Sequence, residues 1–178
     1  SPFLLIIAIL IKLEDGGPVF FVQRRVGRNG KLFEMWKFRT MVVGAEHMGP
    51  PFTTSEDPRI TRIGKWLRKY KLDELPQLIN VLKGDMSLVG PRPMVPYYVQ
   101  LYTPQQLQVL KLKPGITDPA SLFYRREEEL LTRAKDSKKA AFVDFISDKI
   151  LISLAYGSKA TFWSDLSIIF KTIWSIFR

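Results

Sequence analysis

The sequence predicts a mixed α/β fold, mainly helical with a small β-hairpin, associated with a membrane through its two ends. Three observations carry this. A chain of 178 residues with 46% hydrophobic and 25% charged side chains is long enough to bury a sizeable core. Two runs of strand-forming residues flank Asn29-Gly30, a dipeptide suited to tight hairpin turns. The first and last stretches are strongly apolar, although the chain as a whole carries a formal net charge of +10.

The chain opens Ser1-Pro2 and then runs from Phe3 to Ile11 without a polar residue. That run is too short to cross a bilayer, which takes about 20 helical residues. No basic stretch precedes it and no small-residue cleavage site follows, which argues against a signal peptide. It fits a buried first helix or strand, or half of a re-entrant membrane helix broken at Pro2. The missing initiator methionine suggests that the natural N-terminus lies upstream.

Pro18 to Met41 reads as the hairpin, Val19-Phe20-Phe21-Val22 against Leu32-Phe33-Glu34-Met35-Trp36. Alternation on the second strand puts Lys37, Arg39 and Met41 on one face and Trp36, Phe38 and Thr40 on the other. Two cations so spaced can address one phosphate; they also suit the exposed face of an edge strand. Residues 42–58, with Gly44, Gly49, Pro50, Pro51 and Asp57-Pro58, read as loop. Ile63 to Tyr70 reads as helix. Leu72 to Leu78 reads as the start of another, with Asp73 as N-cap, Glu74 in the first turn, Pro76 tolerated near that end and Gly84 closing it. Residues 85–96 read as irregular around Gly90-Pro91-Arg92-Pro93. Thr103-Pro104 opens a helix ending before Pro114-Gly115, and residues 127–156 read as mostly helical from the acidic run Glu127-Glu128-Glu129 onward. In the last stretch Phe162, Leu166, Ile169, Ile173 and Phe177 fall at helical spacing, joined by Trp163 and Trp174. Ser164, Asp165, Lys171, Thr172, Ser175 and Arg178 gather largely on the other side. This suits a core-packing helix or one lying in a membrane interface; two apolar ends on so basic a chain favour the interface.

Residue types exclude several chemistries. Cysteine is absent, so there is no disulfide scaffold, thiolate nucleophile or Cys-type zinc site. His47 is the single histidine, which removes His-cluster metal sites and argues against a Ser-His-Asp hydrolase. The positive charge is concentrated in two blocks. Arg24, Arg25, Arg28, Lys31, Lys37 and Arg39 face Glu34 alone; Arg59, Arg62, Lys65, Arg68, Lys69 and Lys71 stand with no acid among them. Each block alone suits a solvated basic face, but two flanking one acidic pair point to an anionic partner: nucleic acid, a membrane surface or a phosphorylated substrate.

That acidic pair is Asp73-Glu74. A helix N-terminus and nearby cations both favour ionised carboxylates. Such a pair can hold Mg²⁺, or one member can attack phosphorus as carboxylates do in aspartyl-phosphate chemistry. Arg92 between two prolines presents a planar guanidinium on a stiff loop, suited to bidentate phosphate recognition. No Gly-rich phosphate-binding fingerprint is present. Two non-catalytic readings compete: a basic membrane-surface protein, and a nucleic-acid binder stacking bases on Phe33, Trp36 and Phe38 between Lys37 and Arg39.

GGPVFFVQRRVGRNGKLFEMWKFRTM, then DPRITRIGKWLRKYKLDELPQLINVLKGDMSLVGPRP, then KPGIT, closely resemble the bacterial sugar transferases, the monotopic polyprenyl-phosphate phosphoglycosyl transferases. The match runs from about Ile11 to Thr117, and the last helix is similar to the family's C-terminal amphipathic segment. The resemblance implies transfer of a phosphosugar from a UDP-sugar to a polyprenyl phosphate with release of UMP, a step of exopolysaccharide or glycoconjugate synthesis. It implies Asp73 as the nucleophile of a phosphosugar–enzyme intermediate and Glu74 assisting, the two holding Mg²⁺. Lys37, Arg39, Arg68 and Arg92 match the family's basic residues and would bind substrate phosphate. Ser1-Pro2 matches the break of the family's re-entrant anchor. The expectation is therefore one catalytic domain over residues 1–178, with 1–13 the second half of a membrane anchor and 161–178 an interfacial helix. It would sit on the cytoplasmic face of the bacterial inner membrane, with the phospholipid bilayer as a partner, no nucleic acid, and a second copy of the chain left open as a further partner. Residues 119–160 match poorly and carry no assigned contacts.

Overall fold

The computed structural model describes residues 2–49, 57–124 and 138–176. Ser1, Pro50, Pro51, the acidic run Glu127-Glu128-Glu129, Phe177 and Arg178 lie outside the described residues, and so do the readings placed on them. The fold is mixed α/β and mostly helical, as the sequence predicts. Its first helix, α1 (Pro2–Asp15), buries Ile7 and Ile11 and leaves Phe3, Leu5, Ile6, Ile9, Leu10 and Leu13 exposed. No helix among the described residues is long and apolar enough to cross a membrane.

The hairpin follows as β1 (Phe20–Val26) and β2 (Leu32–Phe38), antiparallel, with Phe20 opposite Phe38 and Val26 opposite Leu32. Asn29 (φ 57°) and Gly30 (φ 77°) both adopt the left-handed backbone that this dipeptide tolerates. The connection is nevertheless longer than a two-residue turn: Gly27 N–H bonds Lys31 C=O, enclosing the single 3₁₀ turn Arg28–Gly30. The hairpin is covered on both faces. Phe33 and Met35 pack with Met86, while Phe38 packs with Ile7, Ile11 and Leu67. An edge strand with one freely solvated cationic face is therefore not what forms. Burial of Phe33 and Phe38 also removes two of the three rings that a base-stacking platform needs.

Helix α2 (Arg62–Lys69) is capped by Thr61, whose hydroxyl accepts from Gly64 N–H. Gly64 is obligatory: a Cβ there would lie 2.1 Å from Thr40 C=O. The single helix expected from Asp73 to Gly84 is divided. A 3₁₀ turn, Leu72–Glu74, precedes α3 (Gln77–Leu82), whose N-cap is Pro76. Proline has no N–H to continue a helix through position 76, so the chain closes one turn and begins again. Asp73 is thus inside the turn and is not an N-cap, while Lys71 before it is held at φ 54°. Gly84 (φ 82°) closes α3 as read.

Residues read as irregular contain β3 (Ser87–Val89), paired in parallel with β4 (Gly115–Thr117). Between them lie α4 (Pro96–Val99) and a 3₁₀ segment, Gln106–Lys111, where a full helix was expected. Then come α5 (Pro119–Phe123), α6 (Lys138–Gly157) and α7 (Phe162–Ile176).

The orientation of α7 is unusual. Its polar side faces the protein: Thr172 Oγ1 lies 2.7 Å from Thr117 Oγ1, and the Tyr156 hydroxyl lies 2.6 Å from the Asp165 carboxylate and 3.0 Å from Ser164 Oγ. Ile168 is its one buried apolar residue. Phe162, Trp163, Phe170, Ile173 and Trp174 point away from the fold and are exposed. A helix packed by hydrophobic burial against its own core would be turned the other way.

Candidate active site

Asn80 fixes the site to the hairpin. Fully buried, it donates to Glu34 C=O at 2.7 Å and accepts from Trp36 N–H at 3.1 Å, locking α3 to the edge of β2. The turn preceding α3 is thereby held beside Lys37, which lies next to Trp36 in β2. Lys37 Nζ donates to Glu74 Oε1 at 2.9 Å. Arg92 grips the same carboxylate from the opposite element, with NH2 2.6 Å from Oε1 and NH1 3.3 Å from Oε2. Its loop is held in turn by Arg25, which donates to Pro93 C=O at 3.0 Å, and by Val26 N–H donating to Met94 C=O at 2.9 Å. Burial pushes the Arg25 guanidinium down to about 10, with Arg92 adding to the effect.

The two carboxylates of the dyad titrate in opposite directions. In the sequence reading a helix terminus and nearby cations favour both ionised forms; in the structure burial makes the two environments differ. Burial pushes Asp73 up, outweighing the opposing pull of Lys37, and Glu74 beside it adds to the rise. Burial acts on Glu74 too, but Arg92 and Lys37, by charge and by hydrogen bond, overcome it and hold Glu74 well below the usual range. Asp73 is 8% exposed, and its Oδ1 is buried without a hydrogen-bond partner. A fully engaged carboxylate therefore stands next to one with an open oxygen.

The other cations divide. Arg68 donates to Thr40 Oγ1 at 2.9 Å and lies near enough to Asp73 to favour its charged form. Arg39 is not brought to the dyad. Its three guanidinium nitrogens are taken by Asp15, Pro18 C=O and Met41 C=O, tying the end of α1 to the hairpin. Arg39 thus braces α1 against the hairpin, away from the Lys37–Glu74–Arg92 cluster. Bonded to it, the Asp15 carboxyl is held down at about 2. A lowered carboxylate contributes stability above its unfolded value of about 3.9 and loses it as pH falls through the folded value. Asp15→Asn is thus expected to lower the melting temperature by roughly 2–4 °C for about 1 kcal/mol, allowing for its partial exposure. The difference from the parent should be full above about pH 5 and fade as pH approaches 2, followed by thermal melts across pH.

No group of three or more His, Cys, Asp or Glu side chains able to hold a metal occurs among the described residues. Mg²⁺, however, is commonly held by one or two carboxylates plus water and substrate phosphates. The open Asp73 oxygen beside Glu74 fits that mode, and the all-oxygen donor pair fits a hard cation.

The structure brings together Asp73, Glu74, Lys37 and Arg92, which the sequence reading names, and adds Asn80 and Arg25, which that reading does not single out for the site. Arg25 sits in a cationic block with nothing to single it out. Asn80 is an unremarked polar residue in an otherwise apolar run, INVL, which is the one available signal.

A family model described as bacterial sugar transferase matches residues 1–178. The UDP-N-acetylgalactosamine-undecaprenyl-phosphate N-acetylgalactosaminephosphotransferase of Aeromonas hydrophila is 40% identical over 179 residues, covering 99% of this chain and 39% of that protein. The undecaprenyl-phosphate glucose phosphotransferase of Komagataeibacter xylinus is 39% identical over 180 residues, covering 97% of this chain and 32% of that protein. The exopolysaccharide production protein ExoY of Rhizobium meliloti (strain 1021) is 35% identical over 188 residues, 97% of this chain and 76% of that protein. The chain thus spans about a third of the first two relatives and about three quarters of the third.

Proposed function

The chain belongs to the bacterial sugar transferase family, and from that premise we propose that it transfers a sugar phosphate from a UDP-sugar to a polyprenyl phosphate, releasing UMP, through a covalent intermediate on Asp73. The observation that carries this reading is the pairing of an unpartnered, buried Asp73 oxygen with a Glu74 carboxylate clamped by Lys37 and Arg92.

In the first step a carboxylate oxygen of Asp73 attacks the β-phosphorus of the donor. The bond from that phosphorus to the bridging oxygen breaks, and UMP leaves with the electron pair. An oxygen of the polyprenyl phosphate then attacks the same phosphorus, and the bond to Asp73 breaks, returning the carboxylate. Glu74 holds Lys37 and Arg92 in place without entering the bond changes. Those two cations, with Arg68 nearby, offset the charge on the phosphate oxygens, which is most of what phosphoryl transfer requires. Mg²⁺ held by Asp73 and Glu74 would add further charge neutralisation at the transferring group. Two separate steps let a water-soluble donor and a lipid acceptor use one carboxylate in turn. The outward apolar sides of α1 and α7 support placing the protein at a bilayer surface, which the family resemblance would make the cytoplasmic face of the bacterial inner membrane.

The test is to incubate the protein with a UDP-sugar and Mg²⁺ but no acceptor and measure intact mass. An increment equal to one sugar phosphate, mapped to Asp73 and absent with EDTA, is the expected result. UMP release without an adduct, or an adduct elsewhere, would overturn the covalent assignment. Undiminished turnover in Asp73→Asn would remove Asp73 as the nucleophile, and no UMP release from any UDP-sugar by the parent would favour the non-catalytic membrane-surface protein.

A further inference from the structure

The segment that carries the dyad is turned polar side in. Pro76 interrupts its hydrogen bonds but not its coil, because Leu75 (φ −55°, ψ −36°) and Pro76 (φ −62°, ψ −16°) keep right-handed helical angles. Positions 73, 77 and 80, at spacings of four and three, therefore fall on one side. Asp73, Gln77 and Asn80 are all buried there, while Leu78, Ile79 and Leu82 are exposed. Hydrophobic burial alone would turn this segment the other way, and enclosing its polar groups costs stability wherever one lacks a partner.

Asn80 has its partners in β2. Gln77, 2% exposed, does not: its amide Nε2 is enclosed without an acceptor. One turn before it, Asp73 Oδ1 is enclosed without a donor. Residues so spaced on a helix have Cβ atoms about 5–6 Å apart, within the span of a glutamine side chain. The two groups nevertheless leave each other unbonded. An unused donor and an unused acceptor one turn apart match a ligand that offers an electrophilic centre to the oxygen and lone pairs to the amide. A phosphate group offers both.

We infer that Gln77 is a further catalytic residue, its Nε2–H donating to a non-bridging oxygen of the phosphate that Asp73 attacks. This rests on the transfer reaction proposed above. Lys37 and Arg92 are already shared with Glu74, whereas the Gln77 amide donates without giving up a bond. A neutral donor fixed in a dry setting stabilises charge on that oxygen during attack with no reorganisation. No covalent bond to Gln77 forms or breaks, and its proton stays on nitrogen.

Two variants test this. Gln77→Met keeps the length of the side chain and removes the donor; Gln77→Asn keeps the amide and draws it back by one carbon. Each is assayed for UMP release with polyprenyl phosphate and Mg²⁺, using whichever of UDP-glucose, UDP-galactose and UDP-N-acetylgalactosamine the parent turns over, beside a thermal melt. In both variants kcat is expected to fall at least about tenfold, loss of one preorganised donor typically costing about 100-fold. The melting temperature of Gln77→Met should stay level or rise, because an apolar chain replaces an unpartnered buried amide. A smaller loss of kcat in either variant would overturn the role of Gln77 while leaving the reaction standing. So would a clear fall in the melting temperature of Gln77→Met, which would give the amide a structural partner such as a bridging water. No UMP release from any donor by the parent would overturn the reaction, and this role with it.

Discussion

Asp73→Asn is expected to abolish sugar-phosphate transfer, by about 10⁴-fold or more, while the melting temperature stays level or rises. The loss follows from the bond chemistry: an amide oxygen cannot form and release the phosphorus bond that the carboxylate forms, and removing a nucleophile costs factors of this order. The stability gain follows from burial. Asp73 is nearly enclosed, with one oxygen unpartnered, so its charge is held against desolvation. A carboxyl raised in the folded state stabilises the fold only while protonated and weakens it as pH climbs above its unfolded value. At neutral pH the neutral amide relieves that burden. UMP release measured beside a thermal melt separates the two effects. A clear fall in melting temperature would mean that the carboxylate is a structural partner and that its apparent isolation is wrong.

Glu74→Gln should behave in the opposite way, losing activity and stability together. Its carboxylate is the shared partner of Lys37 and Arg92, at 2.9 and 2.6 Å. Neutralising it leaves Lys37, 16% exposed, without its counter-ion and facing the more exposed Arg92. Orphaning a buried charge costs about 3 kcal/mol at the low end, which for a chain of this length is a fall of roughly 6–12 °C. Because Glu74 is lowered in the folded state, the penalty should be full at neutral pH and shrink in acid, as the parent loses the same charge. A melting temperature within a degree of the parent would remove Glu74 as the organiser of the two cations. Contrasting melts from adjacent, chemically identical substitutions would therefore assign opposite roles to the two carboxylates.

Much of this arrangement is legible in the sequence. The hairpin announced itself through β-forming runs around Asn29-Gly30, and the dyad through its place after six cations without an acid. What stayed hidden has three physical causes. Pro76 signals a helix start, but whether the turn before it is α or 3₁₀ depends on where Lys71 can be held, which is a tertiary matter. The β3–β4 pair has three residues a side, too short for alternation to register. The brace from Arg39 to Asp15 is not visible in the sequence because the two belong to elements 24 residues apart. Amphipathicity of α7 was plain as well. Periodicity identifies two sides of a helix but does not say which one turns inward.

That last point governs how the molecule behaves at the bench. With five aromatic or aliphatic side chains displayed on one outer surface of α7, copies in plain buffer have a ready means of sticking to one another. Light scattering in plain buffer would then grow with concentration through adhesion alone. Stoichiometry measured in plain buffer should therefore be set beside the value in micelles, where detergent tails cover that greasy surface.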